Sequence, residues 1–308
     1  MLIQASEICR QTRADMDGFI RRSRAVYCDQ ITAVAQALRD HCADTPVILL
    51  AGPSGSGKTT SALLLARQLT QWGYTTHTLS MDNYFAPLTP HEIELMHQHK
   101  IDLESPNRVD AAFLNEQLRD ILEGKEIRLP RYDFVSSDRV FDGNTLQRKP
   151  GELVIMEGIH ALNPAVTGES SQFTARIYVS VRTRVQTQDG TLLHPSNIRL
   201  ARRMLRDYIF RNRAMVDTVK MAPSVDAGED KYIMPFKDRA AYHINTFIPY
   251  ELSIYKNDLY EPLSQLQAQF PSLRPLMKVF DALDAIPTEH VPEDSLIREF
   301  IGGSIFAY

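Results

Sequence analysis

Val47-Ile48-Leu49-Leu50-Ala51-Gly52-Pro53-Ser54-Gly55-Ser56-Gly57-Lys58-Thr59-Thr60 is the stretch from which the fold is read. A short apolar run stops at Gly52, and a glycine-rich loop follows. Gly52, Gly57, Lys58 and Thr59 fill the pattern G-x-x-x-x-G-K-[ST] completely. Glycines let a backbone wrap a phosphate because they reach positive φ without a Cβ clash. The loop N–H groups and the positive end of the next helix then face the anion. Lys58 is placed to reach the β- and γ-phosphates of a nucleotide, and the Thr59 hydroxyl suits Mg²⁺. The apolar strand before the loop and the run Ala62-Leu63-Leu64-Leu65-Ala66 after it separate this pattern from a chance glycine turn. ATP contacts are expected at Gly52, Ser54, Gly55, Ser56, Gly57, Lys58, Thr59 and Thr60.

The whole chain has 308 residues, enough for a sizeable core without metals or disulfides. A net charge of −4 argues against a general nucleic-acid binder. Cys9, Cys28 and Cys42 form no CxxC pair, so neither a zinc site nor a disulfide framework is indicated. The first residues lack a signal-peptide pattern, and no apolar run approaches the ~20 residues that span a membrane. A cytoplasmic protein is expected.

The pattern predicts three parts: a helical segment over 1–45, a phosphate-loop core over 46–248, and a helical extension over 249–308. The first part is basic, with Arg10, Arg13, Arg21, Arg22 and Arg24, and reads as a solvated helix face. In the core, strands are expected over 47–51, 74–80, 153–158 and 175–181, with helices over 58–70 and 109–123. That alternation is α/β, a mostly parallel sheet flanked by helices. A β-hairpin over 127–149, turning at Asp142-Gly143-Asn144, interrupts it. The extension reads as packing and as a candidate homo-oligomer contact.

Acids follow two of the strands. Asp82 lies just past 74–80 and Glu157 ends 153–158, and in α/β sheets the carboxyl ends of strands face the ligand. Asp82 is a candidate base, and Glu157 a candidate support for Mg²⁺. His91, Glu92, Glu94, His97 and His99 crowd one segment, but Leu95 stands where H-E-x-x-H needs its second histidine, so a surface helix is expected. Tyr132 and Phe134 share a strand face, suited either to stacking on a flat ligand or to packing the hairpin. The helix expected over 197–215 carries Arg199, Arg202, Arg203, Arg206, Arg211 and Arg213 against the single acid Asp207. It reads as a lid closing positive charge over transferring phosphates.

No Asn-Lys pair occurs, so the base-reading motif of a GTPase is missing, and no L-S-G-G-Q-like signature marks an ABC-type ATPase. The ordered motifs resemble the uridine kinase and phosphoribulokinase family over about residues 47–215. Gly52-Pro53-Ser54-Gly55-Ser56-Gly57-Lys58-Thr59 matches its phosphate loop, and Ser80-Met81-Asp82-Asn83-Tyr84-Phe85 is similar to the segment bearing its catalytic Asp. Leu103-Glu104-Ser105-Pro106 resembles its ribose-binding D-x-P loop, and Pro130-Arg131-Tyr132-Asp133-Phe134-Val135 its base-binding hairpin. Val154-Ile155-Met156-Glu157-Gly158-Ile159 resembles its second acidic strand, and Arg199-Leu200-Ala201-Arg202-Arg203-Met204-Leu205-Arg206-Asp207 its lid helix. Two positions depart: Glu104 replaces Asp, and Ser137 stands where uridine-cytidine kinases carry the histidine that reads the pyrimidine.

The resemblance implies an ATP- and Mg²⁺-dependent nucleoside kinase. Asp82, Lys58, Arg203 and Arg206 would be catalytic, and Arg202 would join the ATP contacts. Asp82, Tyr84, Glu104, Tyr132, Phe134, Arg139, Glu157 and Arg199 would bind the nucleoside, and Thr59 and Glu157 the metal. A kinase for a sugar phosphate, using Arg128, Arg131 and Arg139 for the substrate phosphate, or for another small alcohol is the alternative enzyme. A non-catalytic ATP-binding regulator is the alternative class.

Overall fold

In the computed structural model, which describes residues 1–41, 44–97, 101–133, 136–168 and 173–308, strand β1 (Leu2–Gln4) runs into helix α1 (Ala5–Arg39). The core opens with β2 (Val47–Ala51), α2 (Lys58–Gln71) and β3 (Thr76–Ser80). A 3-10 turn (Met81–Tyr84), α3 (Pro90–His97) and α4 (Ala111–Leu122) follow. Asp110 caps α4, accepting the Phe113 N–H at 3.1 Å, which moves the helix start past the expected residue 109.

The hairpin region has two tiers. β4 (Glu126–Arg128) pairs antiparallel with β7 (Thr145–Gln147), and β5 (Arg131–Asp133) with β6 (Asp138–Val140). The strands therefore turn back between β5 and β6, where Ser137 takes φ 55°. The expected Asp142-Gly143-Asn144 turn instead joins β6 to β7, with Gly143 at φ 82°.

The remaining elements are β8 (Leu153–Gly158), α5 (Pro164–Thr167), β9 (Thr174–Ser180), β10 (Arg184–Gln186), β11 (Leu192–Leu193), α6 (Pro195–Arg211), α7 (Met215–Tyr232), β12 (Tyr242–Asn245), α8 (Glu251–Leu266), α9 (Arg274–Ala282) and α10 (Arg298–Ile301). The arginine helix is shorter than expected. Asn212 enters the left-handed region at φ 48° and ends α6, leaving Arg213 outside it.

The central sheet has the order β12-β9-β2-β8-β3, and every neighbouring pair is parallel. β2 is apolar at every position because both faces are covered. Its side chains alternate between two cores. Ile48 and Leu50 pack with α1, α2, α6, α8 and Phe300, whereas Val47, Leu49 and Ala51 pack with Met81, Tyr84 and α4. Burial of each such aliphatic side chain contributes about 1.5–3 kcal/mol. Residues of α1 and of the C-terminal helices share the first core, so both ends of the chain are packed onto the sheet. No described helix is long and apolar enough to cross a membrane.

Candidate active site

Sheet register gathers the site. Ser80 pairs with Glu157, and Ala51 with Gly158, so β2, β3 and β8 end level with one another. The phosphate loop leaves β2, Asp82 follows β3, and Glu157 stands near the end of β8, all on one edge. Gly57 takes φ 82° as the residue before α2, a conformation a side chain would oppose. Thr59 Oγ1 donates to Glu157 Oε1 at 3.5 Å.

The charges here act on one another. Burial pushes the Glu157 carboxyl up to about 7; Lys58 opposes the shift and Asp82 adds to it. Burial likewise pushes Glu104 up to about 7, against the pull of Arg203 and Lys58 and with a push from Asp82. Lys58, Asp82, Glu104, Glu157 and Arg203 thus lie within electrostatic reach. Gly228 of α7 packs on Glu104 so closely that a Cβ there would lie 2.4 Å from the Glu104 Cβ.

Buried polar atoms without hydrogen-bond partners gather in the same region: Ser56 Oγ, Glu104 Oε2, Arg203 Nε and Arg206 Nε, with both ring nitrogens of His160. Burial lowers the His160 imidazole to about 4, so it is neutral. Its ring meets Tyr232 edge-on with centroids 6.4 Å apart, and the Tyr232 hydroxyl donates to Asp102 at 2.8 Å. No sequence pattern pointed to His160; its place two residues after Gly158, at the ligand edge of the sheet, was the available signal.

Several expected contacts are redirected. Arg202 was expected on ATP, but it is fully buried with every donor committed: Nε and Nη2 to Glu251, Nη1 to the Gly55 carbonyl at 3.1 Å, and both Nη atoms to Thr246. It braces the phosphate loop from behind. Thr60 was also expected on ATP, yet its N–H and hydroxyl are held by Glu299. Tyr84 was expected on the substrate, but it is 1% exposed and donates to Gln117 at 2.8 Å, a core role. Arg199, another expected substrate contact, is ion-paired with Glu229 of α7.

Tyr132 lines the inner side of the hairpin. It sits edge-on to Phe85 at 5.5 Å and accepts from Arg108 at 3.3 Å, so packing takes the ring expected to stack on a ligand. Arg139 donates to Asp110 at 3.0 Å and lies 4.5 Å over the Phe113 ring. Phe134 and His99 lie outside the described residues.

Asp207 organises the end of α6. Nearly buried, it accepts from Arg211 at 3.1 Å and Arg213 at 3.0 Å, and stands 3.7 Å from Arg206. In α3, Glu92 accepts the Thr89 N–H at 2.8 Å and so serves the helix start. Among the described residues no group of three or more His, Cys, Asp or Glu could hold a metal. The oxygens of Thr59 and Glu157 stand side by side next to the phosphate loop.

A uridine kinase from Lactobacillus johnsonii is 31% identical over 196 residues, covering 62% of this chain and 82% of the relative. A uridine kinase from Staphylococcus aureus is 29% identical over 197 residues, covering 64% and 85%. Among solved structures, YFH7 from Saccharomyces cerevisiae, a circularly permuted P-loop protein, aligns with a TM-score of 0.50 at 10% identity, over 72% of this chain and 98% of that one. Residues 47–249 match the profile of the Phosphoribulokinase / Uridine kinase family, and the chain belongs to that family of P-loop kinases.

Proposed function

We propose that the chain is an ATP-dependent nucleoside kinase that transfers the γ-phosphate to the 5′-hydroxyl of a uridine- or cytidine-like nucleoside. The unpartnered buried atoms around the phosphate loop carry this reading. Buried polar atoms are ordinarily hydrogen-bonded, so these call for a polar ligand. Ser56, Arg203 and Arg206 offer donors that suit phosphoryl oxygens. Glu104 offers an acceptor that suits sugar hydroxyls. A nucleotide and a polyol together satisfy both sets, and the similarity to uridine kinases favours a nucleoside as the polyol.

Asp82 takes the 5′-hydroxyl proton as the new O–P bond forms and the β–γ bridge bond breaks, with ADP leaving. Lys58, Arg203 and Arg206 hold the phosphoryl charge, and Glu104 orients the sugar. Thr59 and Glu157 would hold Mg²⁺, which neutralises charge on the β- and γ-oxygens when bound. The sugar-phosphate alternative rests chiefly on Arg139, whose Nη1 is buried without a hydrogen-bond partner while its Nη2 is held by Asp110; Arg131 is paired with Asp142.

The test is a panel of nucleosides and phosphorylated pentoses, each with ATP and Mg²⁺, read by product mass. A pyrimidine nucleoside monophosphate is the expected product. Phosphorylation of the pentoses alone, or of nothing, would overturn the reading.

A further inference from the structure

The first turn of α2 is met by a carboxylate from the far end of the chain. Glu299 Oε2 accepts from the Thr60 hydroxyl at 2.5 Å and from the Thr60 N–H at 3.3 Å. The Tyr308 hydroxyl stands 3.1 Å from the same Thr60 oxygen. Leu296 closes over the loop itself, 2.5 Å from where a Cβ on Gly57 would lie. Thr60 has no exposure and Glu299 only 7%, so the contact is sealed from water. The cap residue itself, Gly57, has no side chain to offer these groups.

The first N–H groups of a helix have no internal partner, and they carry its positive end. In α2 the internal ladder begins only with the Ser61 N–H, which reaches the Gly57 carbonyl at 3.0 Å. A phosphate loop uses these free groups to cradle the α- and β-phosphates. Lys58 and Thr59 serve the β/γ end and the metal. The Thr60 N–H and hydroxyl therefore remain for the inner phosphate, and both are held by a carboxylate. Two anions cannot share those donors in a buried site without a large cost.

We propose that Glu299 is a donor-selecting residue: a tethered anion in the α-phosphate seat, which a nucleotide must displace to bind. The inference rests on the loop binding a nucleotide and is independent of the acceptor. Donors that fill only the β/γ seats leave Glu299 in place. Nucleotides that reach Thr60 compete with it directly, so Glu299 sets their affinity.

Glu299→Gln keeps an oxygen for the Thr60 hydroxyl and removes the charge. Calorimetric titration with Mg·ATP should show affinity at least about tenfold tighter than wild type, while Mg·imidodiphosphate, which spans only two phosphate seats, should bind both proteins alike. Unchanged or weaker ATP binding in a variant with native circular dichroism and melting would overturn the proposal and leave Glu299 a helix cap. If the variant does not fold, wild-type hydrogen exchange decides. ATP should deprotect residues 296–308, and unchanged or increased protection there would overturn it. Loss of ATP binding in both proteins would sink the nucleotide reading and this proposal together; binding by the variant alone would support both.

Discussion

Arg202 and Glu251 form a two-pronged ion pair with no solvent exposure: Nε meets Oε2 at 2.7 Å and Nη2 meets Oε1 at 3.0 Å. The same guanidinium holds the Gly55 carbonyl, so α8 and α6 together fix the phosphate loop. Removing one member of a buried pair strands the other charge, typically at about 3–5 kcal/mol. Glu251→Ala should lose stability of that size in urea unfolding. The double change Arg202→Met with Glu251→Leu should recover most of it. Equal losses in the single and double variants would show that the stranded charge is not the cause.

Glu157 should give the ligand-free protein a pH-dependent stability. Burial holds its carboxyl at about 7 in the folded chain, above the 4.5 of an ordinary glutamate. Between these two pH values the native state holds a proton that the unfolded chain releases. Stability therefore falls as pH rises through that window, by at most about 1.4 kcal/mol for each pH unit crossed. Glu157→Gln removes this contribution. Thermal melts without nucleotide or metal should show the variant more stable at pH 8 and level with wild type below pH 5. A gap that stays constant across that range would clear Glu157 of responsibility.

Gly228 should matter through Glu104. Alanine is the better helix former by about 1 kcal/mol, so Gly228→Ala favours α7 on its own account. Its Cβ would nevertheless lie 2.4 Å from the Glu104 Cβ and 2.8 Å from its Cγ. Glu104 must then shift. The acceptor KM should rise about tenfold, with the ATP KM nearly unchanged, and Glu104→Gln should produce the same split. An unaltered acceptor KM in both variants would remove Glu104 from the sugar site.

What could be read from sequence was local or periodic. The strand–loop–helix at Gly52 to Thr59 is a contiguous signal, and β8 announces itself as an unbroken apolar run ending in Glu157 and Gly158. Asp82 and Glu157 were legible as strand-end acids because a parallel sheet brings such ends together. Partners distant in sequence were not legible. Nothing in the arginine run distinguished Arg202, bound to Glu251, from Arg203, whose Nε is unpartnered. The pairing of Thr60 with Glu299 spans 239 positions. Helical periodicity also continued past Asn212, where a left-handed residue ends α6. Tyr84 was placed on the ligand side by resemblance alone; it lies one 3-10 turn beyond Met81, so the two side chains share a face and both pack into the core.

Asp82 offers the sharpest test of the chemistry. It follows β3 at the edge where Ser80 pairs with Glu157, and its charge raises the pKa of both Glu104 and Glu157. A positioned base contributes about 10²–10⁴-fold to rate. Asp82→Asn preserves shape and removes the proton acceptor, so kcat should fall by that factor while ATP affinity stays within about twofold. Losing the Asp82 charge should also lower the Glu157 pKa, because a nearby negative charge no longer opposes ionisation. The pH dependence of stability in the ligand-free variant should therefore move to lower pH. Near-normal kcat would remove Asp82 from the base role. An unmoved stability profile would show instead that its carboxylate does not act on Glu157.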